Sequence, residues 1–346
     1  MKYNLLILLF SKNSQYWVYF ILLLLSIPNN LSAQTLKELD SLSAKEVIDT
    51  LLIDRDVKNW SVRVYTNFKE QRFKLKNDEY QTEYVPHNTT GVGLGFATKK
   101  LILDLGINIK TNKEEKTERF DVQFSFLFHQ HHMLDVSIQS YKGFETRTNY
   151  DVPTTFRTDI SNFTNTLSYW YIPNSKKFSI LQLKTGLSKP TKSTVVLGFG
   201  GFLTYYKLKS DYSIIPEHEP PVYNDFAQLT NFTGIGGGIN GGFFSVIHLP
   251  YNFFLSINVL PGIGLMHKTA QTSDLKYHPK DIFIYKLDAQ ILLQYNYKQF
   301  YTNISAGQSI YNIGLDHANS AQFIITKAKF VIGYNIGGYL KSTPKP

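Results

Sequence analysis

Residues 91–108 read GVGLGFATKKLILDLGIN, and the interpretation of this stretch decides the fold. Glycines lie two apart at Gly91, Gly93 and Gly95, and apolar residues again lie two apart from Leu101 onward. A β-strand places successive side chains on opposite faces, so this period of two predicts a strand, a tight turn and a return strand. The rejected alternative is a glycine loop that holds a phosphate. Glycines on the inner face of such a strand would leave room for a neighbour or allow a bend.

The same alternation recurs along the chain. From Phe283 to Tyr297 every second residue is apolar or aromatic, and most of the residues between them are polar. Similar runs occur at 60–69, 101–110, 120–129 and 324–336. The runs are about 9 to 15 residues long, whereas soluble strands usually have about 5–6 and a strand tilted across a bilayer needs about 9–11. Run length therefore favours membrane-spanning strands.

The connections between the runs are of two kinds. Short turns are predicted at 98–100, 129–131, 172–177, 249–251 and 298–299. Long polar connections are predicted at 70–86, 111–118, 142–160, 207–229, 268–281 and 314–321. Alternating short and long connections are typical of outer-membrane barrels, with the short turns in the periplasm. A chain that crosses lipid with strands must close its sheet, because open edges cannot be satisfied there.

Thirteen candidate strands can be assigned, at 58–69, 88–98, 101–110, 119–129, 132–141, 161–171, 178–187, 193–206, 230–247, 252–267, 282–296, 299–312 and 323–338. Bacterial single-chain barrels have even strand numbers, and the alternation of short and long connections breaks at 188–192. The predicted fold is therefore an all-β, transmembrane, antiparallel up-and-down β-barrel of about 12 strands, with 10 and 14 as alternatives. Its expected location is the cell outer membrane.

The first 33 residues have the features of a secretion signal. Lys2 and Lys12 are positive, the core from Val18 to Ile27 is apolar, and small residues precede a cleavage site expected after Ala33. The alternative is an uncleaved anchor helix, but the core has 10 residues and a spanning helix needs about 20. The predicted organisation is a signal peptide at 1–33, a short helical or flexible periplasmic lead-in at 34–56, the barrel at 57–340 and a C-terminal tail at 341–346.

Composition narrows the classes of function. The 346 residues include no Cys, which excludes disulfides, a thiolate nucleophile, Cys-ligated metals and a lipid-modified Cys. The formal net charge is +9, and removal of Lys2 and Lys12 leaves 9 − 2 = +7. A basic secreted chain meets acidic lipid headgroups rather than nucleic acid. The expected partners are outer-membrane lipid, lipopolysaccharide and the barrel-insertion machinery, with no nucleic acid and no cofactor.

Several strings resemble an uncharacterised Bacteroidetes outer-membrane family called domain of unknown function 4421. They are GVGLGFATKKLILDLGIN at 91–108, YKGF at 141–144, the R-x-D-I string at 157–160, STVVLGFGGFLTYYK at 193–207, and the first strand at 54–75. The likeness covers about 55–340, and Thr158 stands where the family pattern has Pro. The resemblance implies an outer-membrane β-barrel. It implies no activity, because the family has no agreed function, and no catalytic residue is carried over.

Ten charged residues fall on predicted inward faces and are the candidate lumen-lining residues: Arg63, Asp104, Lys110, Asp121, Asp135, Lys184, Lys286, Asp288, Lys327 and Lys329. One interpretation is an ion-pair and hydrogen-bond network that fills or wets the lumen. The other is a selective pore lined with charge. A barrel of about 12 strands lies between filled eight-stranded barrels and open porins, which favours the network.

Other patterns carry less weight. The string at 236–241 matches G-x-G-x-x-G, but a strand rather than a helix follows it, so nucleotide binding is not predicted. His129, His131 and His132 near Asp135 have metal-ligand spacing, but they fall in a predicted solvated turn, so no metal site is assigned. Headgroup-level girdles are predicted for the tyrosines near strand ends, namely Tyr205, Tyr206, Tyr295, Tyr297, Tyr301, Tyr311, Tyr334 and Tyr339.

The resulting functional prediction is a non-enzymatic outer-membrane barrel, either a small-solute channel or a barrel whose outer loops bind a partner. One alternative is an outer-membrane hydrolase with a rim active site. His267 and Asp274 lie near a predicted outer end, as do His317 and Asp316, and Ser305 and Ser309 are on the strand before His317. These residues have no recognisable catalytic order. The second alternative is a soluble secreted β protein. No catalytic, cofactor-binding or metal-binding residue is predicted.

Overall fold

The computed structural model describes residues 60–109, 115–128, 131–173, 187, 192–218 and 221–336. These residues belong to one compact unit, Leu52–Pro346. The predicted signal peptide, lead-in and C-terminal tail lie outside the described residues. So does the predicted strand at 178–187, apart from Leu187.

The regular structure of the described residues is almost entirely β-strand. The strands are β1 (Ser61–Lys76), β2 (Gln81–Val85), β3 (Thr90–Ala97), β4 (Leu101–Asn108), β5 (Glu118–Phe128), β6 (His132–Thr148), β7 (Thr155–Tyr171), β8 (Thr194–Lys209), β9 (Asn231–Leu249), β10 (Phe253–Gln271), β11 (Lys276–Tyr277), β12 (Phe283–Tyr297), β13 (Phe300–Asp316) and β14 (Asn319–Asn335). Two 3-10 turns cover Asp225–Ala227 and Pro250–Asn252. In this described part, no helix is long and apolar enough to cross a membrane.

Twelve strands of the described chain, all except β2 and β11, pair antiparallel with their neighbours and form a closed ring. The ring closes where β14 pairs with β1 along Ser61–Lys76. Because β7 pairs directly with β8, the ring is complete without the predicted strand at 178–187. The short β2 joins β1 to β6 and bypasses β3, β4 and β5. The predicted antiparallel up-and-down barrel of about 12 strands is confirmed.

The two ends of the ring differ in their connections. At one end, here termed the turn end, the described connections include the short ones at 98–100, 250–252 and 298–299. At the other, the loop end, they include the longer ones at 149–154, 210–230 and 272–282. Short turns are periplasmic in outer-membrane barrels, so the loop end is the cell-surface end.

The outward face of the ring is apolar over the part nearer the turn end. Leu105 is 69% exposed, Ile107 72% and Ile239 71%. Inward neighbours on the same strands are small or polar, as Asp104 and Gly106 are on β4. A soluble barrel has the opposite arrangement, with apolar residues inside. This outward apolar band is the surface that lipid solvates.

Along β1 the polarity of the two faces reverses. Up to Phe68 the outward residues are mostly apolar, and the inward residues include the buried Lys69 at the end of this half. Beyond it, outward residues such as Arg72 are charged, whereas inward Phe73 is 2% exposed and Leu75 0%. This second half has the pattern of a strand in a water-exposed sheet, with its apolar side chains inside. The strands therefore continue beyond the lipid-facing band as a projecting extension.

This extension corrects the predicted long connections. The strands β1, β6 and β10 run to Lys76, Thr148 and Gln271, into the stretches assigned as connections at 70–86, 142–160 and 268–281. The hairpin between β13 and β14 has two connecting residues, His317 and Ala318, within the predicted connection at 314–321. The prediction was wrong because outward charges do not end these strands. They mark the end of the lipid-facing band, and the alternation continues past them.

Inward apolar residues form two large cores. The loop-end core includes Phe73, Leu75, Tyr84, Tyr141, Phe144, Ile160, Tyr206, Leu208, Ile214, Ile215, Tyr223, Leu229, Phe232, Tyr311 and Phe323. The turn-end core includes Ala97, Ile102, Leu127, Met133, Trp170, Val196, Phe244, Phe254 and Leu292. Part of the loop-end core comes from the connection 210–230, here termed the plug segment. Its Ile214 is 0% exposed and its Tyr223 5%.

The YKGF string lies at a bulge that completes the loop-end core. Gly143 has a φ of +88°, where a side chain is strained, and β6 shifts register there. A Cβ at Gly143 would also lie 3.0 Å from the Lys116 carbonyl oxygen. The extra residue allows Tyr141 and Phe144 to point inward although they are three apart, and each is 1% exposed. Glycine is therefore required where the chain changes face.

The inner glycines of the opening stretch make room for an aromatic ring. A Cβ on Gly93 would lie 2.4 Å from the Tyr65 ring and 2.4 Å from the Leu105 carbonyl oxygen. We expect Gly93→Ala to lower the free energy of unfolding by about 1–3 kcal/mol, because a backbone atom cannot move aside. Urea unfolding in lipid vesicles measures this. The matched control is Gly241→Ala, whose Cβ meets nothing closer than 3.6 Å and should leave stability unchanged. Equal losses in the two variants would contradict the packing argument.

Candidate functional site

A cavity of about 320 Å³ lies within the lumen and contacts both cores. Trp170 and Phe244 border it from the turn-end core, and Tyr311 borders it from the loop-end core. We refer to it as the chamber. Its polar lining comes from many strands, because most strands in the apolar band turn polar side chains inward. This lining includes Arg63, Asp104, Gln123, Ser125, Asp135, Ser137, Ser168, Lys286, Asp288, Gln290, Ser305, Ser309, Lys327 and Lys329.

The structure brings most of the candidate lumen-lining residues together. Seven of them border the chamber: Arg63, Asp104, Asp135, Lys286, Asp288, Lys327 and Lys329. Asp121 forms an ion pair with Lys69. Lys110 and Lys184 lie outside the described residues. Lys69 and Arg119 were not among the candidates. On β1, Lys69 lies on the same inward face as Arg63, and on β5, Arg119 lies on the same inward face as Asp121. That alternation was the available signal.

Asp104 forms ion pairs with two cations, Arg63 and Lys329. Arg63 donates to Asp104 Oδ1 from Nη2 at 2.7 Å and from Nε at 2.9 Å. Lys329 donates to Asp104 Oδ2, and its Nζ also lies 3.7 Å from the centre of the Tyr65 ring. The Arg63 side chain is 3% exposed, so the carboxylate compensates a charge that water does not reach. These contacts join β14, β1 and β4 along one side of the inner wall.

Lys286 forms a second buried contact group. Its side chain is 2% exposed, its Nζ lies 2.8 Å from Asp288 Oδ2, and it donates to Ser168 Oγ at 3.1 Å. The same Nζ lies 5.1 Å from the Phe202 ring centre and 5.8 Å from that of Tyr311. Next to Ser168, on the neighbouring strand, Asp135 accepts a hydrogen bond from Ser125. These contacts form the kind of network that fills a barrel interior.

The serines and histidines of a rim hydrolase lie apart, because the serines face the lumen, His267 faces outward and His317 lies at a hairpin tip. Ser305 and Ser309 line the chamber. His317 stacks on Phe226 at the tip of the β13–β14 hairpin, with 3.6 Å between ring centres. His267 is exposed, and its ring lies 5.4 Å from that of His278. Within the described ranges, no group of three or more His, Asp or Glu side chains is placed to hold a metal ion.

The R-x-D-I string fastens the plug segment to β7. Arg157 and Asp159 form two hydrogen bonds of 2.8 Å. Arg157 Nη1 also donates to the Ser213 carbonyl at 2.9 Å, and the Asp211 N–H donates to Asp159 at 3.1 Å. The Arg157 guanidinium lies 3.7 Å from the Tyr212 ring centre. One ion pair therefore contacts three consecutive residues of the plug segment.

The contacts of Arg157 and Asp159 with the plug segment predict a response to acid. Burial raises the pKa of Asp159, but hydrogen bonds from Arg157 and from the Asp211 N–H lower it more, so the pKa lies below its ordinary value. A depressed pKa contributes stability that is complete above the unfolded value of about 3.9 and is lost as the pH falls through the folded value. Hydrogen exchange of residues 211–218, corrected for its intrinsic pH dependence, should therefore rise as the pH drops below about 4.

The control for this prediction is Asp159→Asn. It removes the titrating group, so exchange in the plug segment should already be raised at pH 7 and should respond less to acid. Equal pH dependence in the wild type and in Asp159→Asn would show that another group is responsible.

The closed ring, the outward apolar band and the polar chamber define a membrane-spanning β-barrel of the outer-membrane class. The chain belongs to the family described as Domain of unknown function (DUF4421), whose model matches residues 47–336. This confirms the family resemblance found in the YKGF and R-x-D-I strings.

Similar solved structures are also outer-membrane proteins. The outer membrane protease OmpT from Escherichia coli shows 7% identity, covers 84% of this chain and 100% of its own, and has a TM-score of 0.43. The β domain of the Bordetella autotransporter BrkA shows 8% identity over 78% of this chain and 98% of its own, with a TM-score of 0.35. The toluene transporter TodX from P. putida shows 6% identity, covers 80% of this chain and 90% of its own, and has a TM-score of 0.26. At these scores they assign no activity to this chain. No curated protein matches it.

Proposed function

We propose that the protein is a non-enzymatic outer-membrane barrel with an occluded lumen, and that it acts by binding a partner with its projecting loop end. The observation that carries this proposal is the reversal of polarity along the strands. The projecting part has a charged outer surface and an apolar interior, as a folded soluble domain has. Such an end is a rigid platform for a partner at the cell surface.

Packing of the plug segment supports occlusion. Ile214 is 0% exposed, and its carbonyl accepts a hydrogen bond of 2.8 Å from the buried Tyr84 hydroxyl. Tyr223 donates to the Leu75 carbonyl at 3.2 Å. Both contacts lie inside the ring and join the plug segment to β1 and β2. The buried apolar residues at this end favour a filled interior over an aqueous path.

The test uses the absence of native Cys to measure access to the chamber. In Ser309→Cys the thiol lines the chamber, whereas in the matched control Ser273→Cys it lies in an exposed turn. We expect a charged methanethiosulfonate reagent to modify Ser309→Cys at least about tenfold more slowly, because opening must precede reaction. Equal rates would contradict occlusion.

A second variant examines the plug segment itself. Lys209 pairs with Asn231, and the Ser210 N–H donates to the Thr230 carbonyl at 2.9 Å, so residues 211–229 can be replaced by a short Gly-Ser turn. In that background, reaction of Ser309→Cys should accelerate while reaction of Ser273→Cys stays constant. An unchanged Ser309→Cys rate would mean that the plug segment does not limit access.

The chamber itself favours a second candidate, a small-solute channel. A polar cavity of about 320 Å³ with charged walls is the feature that a selective pore would use. The two candidates differ in planar bilayers. The occluded barrel leaves the current at its baseline, and a channel gives steady conductance steps in the wild type.

The proposal that the barrel is non-enzymatic rests on the separation of the chamber serines from the exposed histidines. Protease or lipase activity in the purified wild type would overturn it. We further propose that outer-membrane lipid and lipopolysaccharide contact the apolar band, and that the barrel-insertion machinery folds the chain into the membrane. The apolar band supports the first, and the closed ring supports the second.

A further inference from the structure

Two lysines lie side by side on the inner wall. Lys69 of β1 and Lys327 of β14 are directly opposed in the antiparallel register, and both belong to the inward set of their strands. Directly opposed residues have Cβ atoms about 4.5–5.5 Å apart, and like charges at such positions destabilise the pair. Lys69 is buried and Lys327 is half-buried, so the pair needs compensation from nearby negative charge.

The compensation within the protein is incomplete. Lys69 forms an ion pair with Asp121. Lys327 forms no ion pair with a carboxylate in the described part of the chain, and its close polar neighbour is the Gln123 amide. With its oxygen turned toward the two lysines, that amide accepts from Lys69 Nζ at 2.8 Å and from Lys327 Nζ at 3.0 Å. Two ammonium groups thus share one neutral acceptor.

The other carboxylates of the chamber have nearer partners. Asp104 contacts Arg63 and Lys329, Asp288 contacts Lys286, and Asp135 contacts Ser125. The lining therefore has four cations and three carboxylates, a balance of 4 − 3 = +1. Charge enclosed by low-dielectric walls attracts an ion of opposite sign more strongly than the same charge on an open surface.

The wall beside Lys327 leaves room for a ligand. The residue directly opposite Lys327 on β13 is Gly307, and Ser305 and Ser309 flank that position on the same inward face. The chamber volume of 320 Å³ corresponds to about ten water molecules at about 30 Å³ each. This exceeds the need of an inorganic ion and fits a small organic molecule whose hydroxyl groups can bond to serines and amides.

A fully buried amide adds unused hydrogen-bonding capacity beside this region. Gln139 is 0% exposed, and neither of its side-chain polar atoms has a partner within the described residues. It is the next inward residue after Ser137 on β6 and is directly opposed to Asp121. Gln139 does not line the chamber, but buried polar groups normally have partners, so its amide leaves hydrogen-bonding capacity unused next to Ser137 of the lining.

From this arrangement we propose that the chamber binds a small hydroxylated organic anion, and that the Lys327 ammonium binds its carboxylate or phosphate group. Serine hydroxyls and the amides of the lining bind the rest of the molecule. The site does not depend on partner binding at the loop end.

The test measures anion binding to the full chain, with gluconate, inorganic phosphate and glucose as probes at matched ionic strength. Each probe is present while the protein refolds into detergent or vesicles, so an occluded lumen does not limit entry. Wild-type protein refolded with gluconate or phosphate should unfold at a higher temperature than protein refolded without them, and glucose should cause no shift, as measured by differential scanning calorimetry. Binding by none of these probes, or equal binding of gluconate and glucose, overturns the proposal.

Lys327→Gln should weaken gluconate binding about 10- to 100-fold, the loss of a charged hydrogen bond. The matched control is Lys276→Gln at the exposed Lys276 of β11, which should bind as the wild type does. Without an anion, Lys327→Gln should unfold at the same temperature as the wild type or higher, because the like-charge pair is gone. Unchanged binding in Lys327→Gln overturns the assignment. A lower unfolding temperature without an anion would show that Lys327 is only structural, and this also overturns it.

Discussion

Phe323→Ala is expected to cost about 3–5 kcal/mol of the free energy of unfolding, the usual loss when a large buried aromatic is removed. Phe323 is 3% exposed. Its ring centre lies 3.6 Å from that of Tyr206 and 5.2 Å from that of Phe73, so it joins three strands inside the loop-end core. The substitution leaves a cavity that rigid strands cannot close. Urea unfolding in vesicles measures the loss.

Leu275→Ala is the matched control for this variant. Leu275 is 45% exposed in the turn before β11, so its removal should change the unfolding free energy by less than about 0.5 kcal/mol. If Phe323→Ala lost as little, the loop-end core would not stabilise the barrel. The interpretation of the projecting end as a folded, soluble-like layer would then be wrong.

Asp104→Asn is expected to cost about 3–5 kcal/mol, because it removes the charge that compensates Arg63 and Lys329. The Asp104 side chain is only 22% exposed, and that of Arg63 is 3% exposed, so water replaces little of the lost interaction. The loss appears in the same urea titration. A variant as stable as the wild type would mean that the contacts of Asp104 with Arg63 and Lys329 contribute nothing to stability.

The double variant Asp104→Asn with Lys329→Gln separates charge balance from packing. It restores the original net charge of the group formed by Arg63, Asp104 and Lys329. The double variant should therefore lose less free energy of unfolding than the sum of the two single variants. Strict additivity would show that Asp104 and Lys329 act independently, against the shared contact seen at Asp104 Oδ2.

Much of the fold follows from the period-two pattern. It predicts the membrane strands and the inward face, because lipid on one side and a polar lumen on the other impose alternation on every strand. The pattern does not reveal the strand extensions, since an inverted alternation with outward Arg72 and inward Phe73 looks like the beginning of a polar loop. It also does not reveal β2, whose pairing with β1 and β6 is set by the shortness of β3 and β4.

The tyrosines show a second error of interpretation. Tyr206, Tyr301 and Tyr311 were assigned to headgroup girdles, but they are 2%, 2% and 6% exposed and lie inside the ring. Alternation along β8 and β13 places these tyrosines on the inward face. The girdle prediction was wrong because it relied on their position near strand ends. Tyr297, by contrast, is 54% exposed.

The sequence predicts which residues line the candidate site, but it does not predict which of them contact each other. Strand parity identifies Asp104, Lys286 and Lys327 as inward residues. Which cation reaches which carboxylate depends on the register between distant strands. The opposition of Lys69 and Lys327 comes from the pairing of the first strand with the last, 258 positions away, and the sequence contains no local signal of that register.

The depth of single cysteines in the membrane tests the central claim most directly. The native chain has no Cys, so one spin label or fluorophore can be placed at a time. Labels at positions 64, 105 and 239 should be quenched by lipid-bound quenchers, and labels at 74 and 209 by water-soluble ones. That result would establish a lipid-facing band below a projecting, water-exposed extension. Water-soluble quenching of equal strength at all five positions would contradict a membrane-spanning barrel.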